Sequence, residues 1–280
     1  MYQADPSQSV RKVLPALPTM YDLPSEDKDE PGLPDQFHDF QPWLLRLTFC
    51  PSTYPKERIF VAADLNIYYD LKHPLWHKRP DWFAVVDVDR FYEQRDLRLS
   101  YVIWQEQVSP FVVVELLSEG TEDEDLGRSI RGINEPPTKW QVYEQILAVP
   151  YYVVFSRYTN ELKVFRNVNQ HFEELSLLDS RFWIPELQIG LGLWDGEYEG
   201  ASRLWLRWYD ASGNWILTPE EQERQKTKQE RQKARQERQR ARQEGQRAEQ
   251  ESQRAKQAET QLEQLQEYLR SLGIDPDRIN

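Results

Sequence analysis

The chain has 280 residues, 39% of them hydrophobic, and carries 35 Lys and Arg against 47 Asp and Glu for a formal net charge of −12. That is enough apolar material for a real core, and the acid excess argues against a high-affinity, nonspecific grip on nucleic acid, which rests on clustered Lys and Arg neutralising phosphates. It does not exclude a nuclease, because a metal ion reverses the local sign of a carboxylate pocket.

Residues 1–36 are rich in Pro, Asp, Glu and Ser and read as a flexible arm. Phe40, Trp43, Leu44, Leu45 and Leu47 then predict a short amphipathic helix with Pro42 near its start and Pro51 beyond its end. Arg58 to Tyr69 reads as one extended segment containing Asp64, and His73-Pro74 to Pro80 as a turn-rich connection. A strand is expected over Asp81 to Val88, followed by a less regular stretch to Trp104. Phe111-Val112-Val113-Val114 has the continuous hydrophobicity of a central strand covered on both faces, and it delivers Glu115.

The polar stretch from Glu119 to Pro137, with acids at 119 and 122–125, is expected to be a loop, with or without a small helix. Thr138 is suited to cap a helix running to about Leu147, with Trp140, Tyr143, Ile146 and Leu147 on one face and Pro150 ending it. Tyr151 to Phe155 and Leu162 to Phe165 read as a hairpin. Further antiparallel structure is expected from Leu187 to Trp215, its tryptophans filling core.

From about Pro219 the composition turns to Gln, Glu, Arg, Lys and Ala, predicting a long exposed helix. Residues 218–280 hold 14 basic and 13 acidic residues, so the acid excess belongs to the preceding part, with 21 basic and 34 acidic. Positions 255, 262 and 269 (Ala, Leu, Leu) with 258, 265 and 272 (Ala, Leu, Leu) form a seven-residue seam, whereas 237, 244 and 251 are all Glu, so a coiled coil is favoured only near the end. Gly273 followed by Ile274-Asp275-Pro276 suits a helix stop.

Asp81 opens one strand and Glu115 closes another, so pairing of the two strands would bring the carboxylates together. Divalent metals that drive phosphodiester hydrolysis need such hard oxygen ligands, with phosphate and water completing the shell. The Leu116 carbonyl is a candidate third ligand, and Lys139 is a cation to orient water or stabilise phosphoryl charge. Each part also has an ordinary reading, as a solvated strand-end acid or an exposed helix lysine.

Pro80-Asp81, Val114-Glu115-Leu116-Leu117-Ser118 with Thr121, Lys139 with Tyr143, and Pro150-Tyr151-Tyr152-Val153-Val154-Phe155 together resemble the Uma-type family of restriction-endonuclease-like proteins, a family expanded in cyanobacteria and placed in the PD-(D/E)XK nuclease superfamily. The resemblance implies an α/β restriction-endonuclease-like core, a mixed central sheet flanked by helices. It also implies a magnesium- or manganese-dependent endonuclease acting on DNA, with Asp81, Glu115 and Lys139 catalytic and Asp81, Glu115 and Leu116 around the metal. In the superfamily the lysine normally stands two positions after the second acid; here that position is Leu117, and Lys139 must approach from the following helix. The loop after Ser118 also departs from the pattern, and Asp125 is a candidate for its intermediate acid.

The expected organisation is an arm over 1–36, a nuclease-like domain with a C-terminal β extension over 37–217 and a helical tail over 218–280. The competing function is a noncatalytic nuclease-like scaffold that self-associates or binds a protein partner through the tail. His73 and His77 lack the acid partner of a zinc helix and are expected at a surface turn. Cys50, the one cysteine, is read as a buried thiol without catalytic partner, in keeping with a reducing compartment. Gly190, Gly192, Gly196 and Gly200 lack the context of a phosphate loop. No leader-like segment and no apolar run of membrane-spanning length is present, so a cytoplasmic chain without membrane partners is expected.

Overall fold

The computed structural model describes residues 18, 19, 22, 35–118, 122–132 and 135–273. Most of the expected arm, residues 119–121 of the acidic loop and the stop signal after Gly273 lie outside the described residues.

The first helix, α1 (Gln36–Thr48), is capped by Asp35, whose carboxylate accepts the Phe37 and His38 amides at 2.8 and 3.2 Å. Pro42 sits inside α1 rather than near its start. The ring removes the amide that the His38 carbonyl would accept, and tertiary contacts compensate: Phe37, Leu44 and Leu45 are buried, while Trp43, expected on that face, is 52% exposed.

A 3-10 turn (Lys56–Arg58) leads into β1 (Ile59–Ala62), and the expected single extended segment breaks at Asp64, whose φ of 51° turns the chain before β2 (Ile67–Tyr68). The order continues with β3 (His77–Lys78), β4 (Trp82–Val86), β5 (Tyr101–Val102), α2 (Ile103–Glu106), β6 (Val112–Leu116), α3 (Glu122–Asp125) and α4 (Lys139–Gln141), which runs into a π-helical turn (Val142–Ile146). Then come β7 (Tyr151–Phe155), β8 (Leu162–Val168), β9 (His171–Glu174), β10 (Arg181–Ile184), β11 (Ile189–Tyr198), β12 (Ala201–Tyr209) and α5 (Pro219–Ser271).

The central sheet is six-stranded and mixed, ordered β1-β4-β6-β7-β8-β9, with β6 and β7 parallel and the other neighbours antiparallel. Every residue of β4, β6 and β7 is buried, which is why these strands read as continuous apolar runs. Alternation along each strand separates two cores. Trp82, Ala84, Val112, Val114, Val153 and Phe155 face α1 and the β10-β11-β12 sheet; Phe83, Val85, Val113, Tyr152 and Val154 face Val142, Tyr143 and Leu147 together with Ile67 and Tyr101. Each fully buried Val, Leu or Phe contributes about 1.5–3 kcal/mol of apolar transfer.

Gln41 ties α1 to β12 through two bonds, its amide donating to the Leu206 carbonyl at 2.9 Å and its oxygen accepting the Leu206 amide at 2.8 Å. Trp205 and Trp208 fill the core as the aromatic pattern predicts. Gly190 makes room for the Tyr209 ring, which a Cβ there would meet at 2.0 Å, so its role is packing. The boundary between the two compact units falls between Thr218 and Pro219. None of the 53 residues of α5 is buried.

Candidate metal-assisted hydrolytic site

The site grows from the register of β4 and β6. Trp82 pairs with Val114 in an antiparallel ladder, so Asp81 and Glu115 stand opposite one another one step beyond the last pair. Their side chains alternate onto the face that also carries Phe83, Val113 and Tyr143. The Asp81 carboxylate accepts the Leu116 amide at 2.5 Å and so closes the end of β6.

Lys139 is delivered from the opposite wall. Thr138 caps α4 with a reciprocal capping box, its hydroxyl accepting the Gln141 amide while the Gln141 side chain accepts the Thr138 amide. The first residue inside this cap is Lys139, and its Nζ lies 3.0 Å from Glu115 Oε2 and 2.9 Å from Asp125 Oδ1. The π turn that follows keeps Tyr143 over the sheet, where its hydroxyl donates to Glu115 Oε1 at 2.9 Å. The extra residue in that turn also rotates Ile146 outward to 47% exposure, against the helical periodicity that placed it on the buried face.

Three acids therefore gather around one ammonium. Glu115 and Asp125 are each 1% exposed. Burial pushes the Glu115 carboxyl well above the usual range despite the neighbouring ammonium, and raises Asp81 in the same way. Burial pulls on Lys139 in the other direction, but the Glu115, Asp125 and Asp81 carboxylates outweigh it and hold the ammonium above its ordinary value. Burial and the adjacent Glu115 drive the Tyr143 phenol well up, so it stays a neutral donor.

A second tier surrounds this cluster. Glu124 accepts the Lys139 backbone amide at 2.9 Å and pairs with Arg131 at 3.0 Å and Lys78 at 3.6 Å, while Arg79 pairs with Asp64 at 3.0 Å. These contacts bring the cations Lys78 and Arg131 and the Lys139 backbone to one carboxylate beside the buried acids, in a head whose overall charge is strongly negative. The loop acids thus split: Glu122 and Asp123 are exposed, whereas Glu124 and Asp125 are built into the site.

Of the residues singled out in the sequence, the structure brings Asp81, Glu115, Lys139 and Asp125 together. The Leu116 carbonyl is engaged elsewhere, facing His38 Nε2 at 2.9 Å, with His38 Nδ1 at 3.0 Å from Asp35. His38, 3% exposed, joins the α1 cap to the end of β6, and a lone histidine in an amphipathic helix gave no signal of that. Asp64 turns the chain and pairs with Arg79. His73 lies at the surface, stacked on Trp76. Cys50 is exposed, correcting the buried-thiol expectation: past the end of α1 at Thr48 the chain turns Phe49 into the core and Cys50 away from it.

A family model described as "Putative restriction endonuclease", Uma2, matches residues 39–197. The chain belongs to the Uma2 family. The matched span runs from α1 into β11 and includes Asp81, Glu115, Asp125 and Lys139, so the assembled acids lie inside the family's domain and within a nuclease-like superfamily. None of the curated proteins compared matches the chain.

Among the described residues no group of three or more His, Cys, Asp or Glu side chains is arranged to hold a metal ion. The carboxylates of Glu115 and Asp125 turn onto the ammonium of Lys139 instead. The donor set itself fits a hard divalent cation: Asp81 and Glu115 come from adjacent strand ends, and with Asp125 they are in negative excess over Lys139. Magnesium is commonly held by one or two carboxylates, with water and phosphate completing the shell. Asp81 and Glu115 are the pair that matches that need.

Among the described residues no helix is long and apolar enough to cross a membrane.

Proposed function

We propose that the domain over residues 37–217 hydrolyses DNA phosphodiester bonds with the help of magnesium or manganese, with Asp81 and Glu115 as metal ligands and Lys139 as the catalytic cation. The observation that supports this most is the Lys139 ammonium, 3.0 Å from Glu115 at the end of the two paired strands that carry Asp81 and Glu115. When bound, a divalent cation polarises the phosphate and lowers the pKa of water. Asp81 and Glu115 would hold it from adjacent strand ends, and the Leu116 amide fixes the Asp81 carboxylate. Tyr143 orients Glu115 by its hydroxyl. Lys139, held charged by its acids, acts as a fixed cation beside the phosphoryl oxygens as water attacks in line, and not as a general base.

The test is a cleavage screen on plasmid and linear DNA with each metal. The wild type is expected to cut, and Asp81→Asn to cut far less with its circular dichroism unchanged. A wild type that cuts neither DNA nor RNA under any of these conditions overturns the proposal.

One observation favours a noncatalytic scaffold instead: Lys139 already neutralises part of the acid cluster, as a structural ion pair would. In that reading the tail over 218–280 carries the function by associating with another copy or a protein partner. Leu262, Leu265 and Leu269 on α5 and Leu272 just past its end follow 3-4-3 spacing, and Leu262, Leu265 and Leu272 are 56–59% exposed. Deleting residues 219–280 is expected to lower the mass in solution from an oligomer to a single chain, measured by light scattering. An unchanged association state would remove the tail as the association element.

A further inference from the structure

A cavity of about 570 Å³ opens against the edge strand β1, at the far end of β4 from Asp81. It lies within the size range of small-ligand sites. Its lining includes the rings of Tyr54, Phe60 and Phe91 and the cations Arg46, Lys56 and Arg90. Phe91 lines the cavity and keeps 41% of its surface exposed, so its ring is reachable from solvent.

The charge of this lining runs against the rest of the head, where acids outnumber bases by 34 to 21. Most cations of the head are matched: Arg58 with Asp87 and Asp89, Arg98 with Glu106, Arg131 with Glu124. Arg46, Lys56 and Arg90 have no carboxylate partner among the described residues. Among the described residues the side-chain partners of both guanidiniums are aromatic faces, Arg46 over Trp43 at 5.7 Å and Arg90 over Phe91 at 5.5 Å. Both guanidiniums line this one cavity, and burial together with the like charge of Arg90 lowers Arg46. Like charges gathered without an anion carry a cost that a dianion removes, and guanidiniums match phosphate oxygens by paired N–H donors. The neighbouring rings supply faces on which a base stacks, Phe91 already beside a guanidinium plane.

We infer that this cavity is a nucleotide site: Arg46, Arg90 and Lys56 take a terminal phosphate, and Phe91 with Tyr54 takes the base. A free nucleoside monophosphate and the 5′-phosphorylated end of a strand present the same chemistry. The inference does not rest on the hydrolytic reading of the acid cluster.

Cys50 lines the same cavity, is exposed, and is the one cysteine of the chain, so its labelling reports occupancy. Although the residue is exposed, desolvation against the cavity wall raises its thiol, which sets mildly alkaline conditions for the assay. The experiment measures the rate of maleimide labelling of the full chain in the presence of AMP, dTMP, a 5′-phosphorylated oligonucleotide, its unphosphorylated form and inorganic phosphate. Saturable protection of at least fivefold by a mononucleotide assigns the free ligand; protection by the phosphorylated oligonucleotide alone assigns the strand end. In either case Arg46→Gln and Arg90→Gln should weaken the apparent affinity at least tenfold, and Phe91→Ala should weaken it while leaving the weak effect of inorganic phosphate unchanged. Circular dichroism and thermal midpoint verify that each variant is folded. Absence of protection by every nucleotide and strand end, equal protection by inorganic phosphate, or protection unchanged in folded arginine variants would overturn the inference.

Discussion

Lys139→Met is expected to destabilise the fold by about 3–5 kcal/mol near neutral pH, the usual cost of leaving buried charges without their partner. The substitution keeps the aliphatic stem and removes the ammonium, so Glu115 and Asp125, each 1% exposed, lose their shared cation. The pH dependence has a defined sign. Asp81 and Glu115 are raised in the folded state above ordinary values of 3.8 and 4.5, so folding holds their protons longer than the unfolded chain does. Their cost is absent below those ordinary values and accrues as pH rises through the elevated ones. The Lys139 contribution has the opposite sign of energy: its folded value is raised, so its stabilisation is fully present below 10.5 and is lost only as pH rises through the folded value. The deficit of the variant should therefore shrink on acidification, where the carboxylates protonate, and grow towards neutrality. Urea denaturation at pH 4.5 and pH 7.5 reads this directly. A deficit below about 1 kcal/mol at neutral pH would show that the ion cluster is open to water and does not behave as buried charge.

Glu115→Gln separates stability from chemistry. The amide removes one of three acids competing for a single ammonium, and its two ends suit the two partners of Glu115 once rotated. The carbonyl accepts from Lys139, and the amide donates to the Tyr143 oxygen, which accepts as readily as it donates. Because burial disfavours the Glu115 charge, the variant should keep or gain up to about 1 kcal/mol near neutral pH, a rise in thermal midpoint of up to about 2–4 °C for a domain of this size. Metal-dependent cleavage should fall by more than the roughly 10–100-fold that loss of an outer-shell partner costs. Stabilisation with full cleavage would remove Glu115 from the catalytic set, whereas strong destabilisation would show that its charge supports the fold.

Where local chemistry sets the structure, the sequence was enough. Thr138 marked the start of α4 because a cap acts on neighbouring amides, and Phe111 to Val114 marked β6 because a strand covered on both faces has no polar side. The Asp81 and Glu115 pairing followed from the same logic, since both acids flank apolar runs. The elements that were missed depend on distant contacts. The four-residue strand β10 is too short to show periodicity and is held by β11. Pro42 lies inside α1 where propensity places a break, because the helix is anchored through Gln41 to β12. Asp125 was one acid in a run of four, and only the fold sets it apart by burying it against Lys139 while Glu122 and Asp123 stay exposed. His38 acts through the carbonyl of a residue 78 positions away, which no local pattern records.

The most direct measurement of the central claim is the titration of the full chain with Mn²⁺, read by electron paramagnetic resonance, beside the Asp81→Asn and Glu115→Gln variants. A metal-assisted site at the ends of β4 and β6 predicts saturable binding of Mn²⁺ by the wild type, competed by Mg²⁺ and lost in both folded variants. No binding by the wild type, or binding that survives both substitutions, would contradict it.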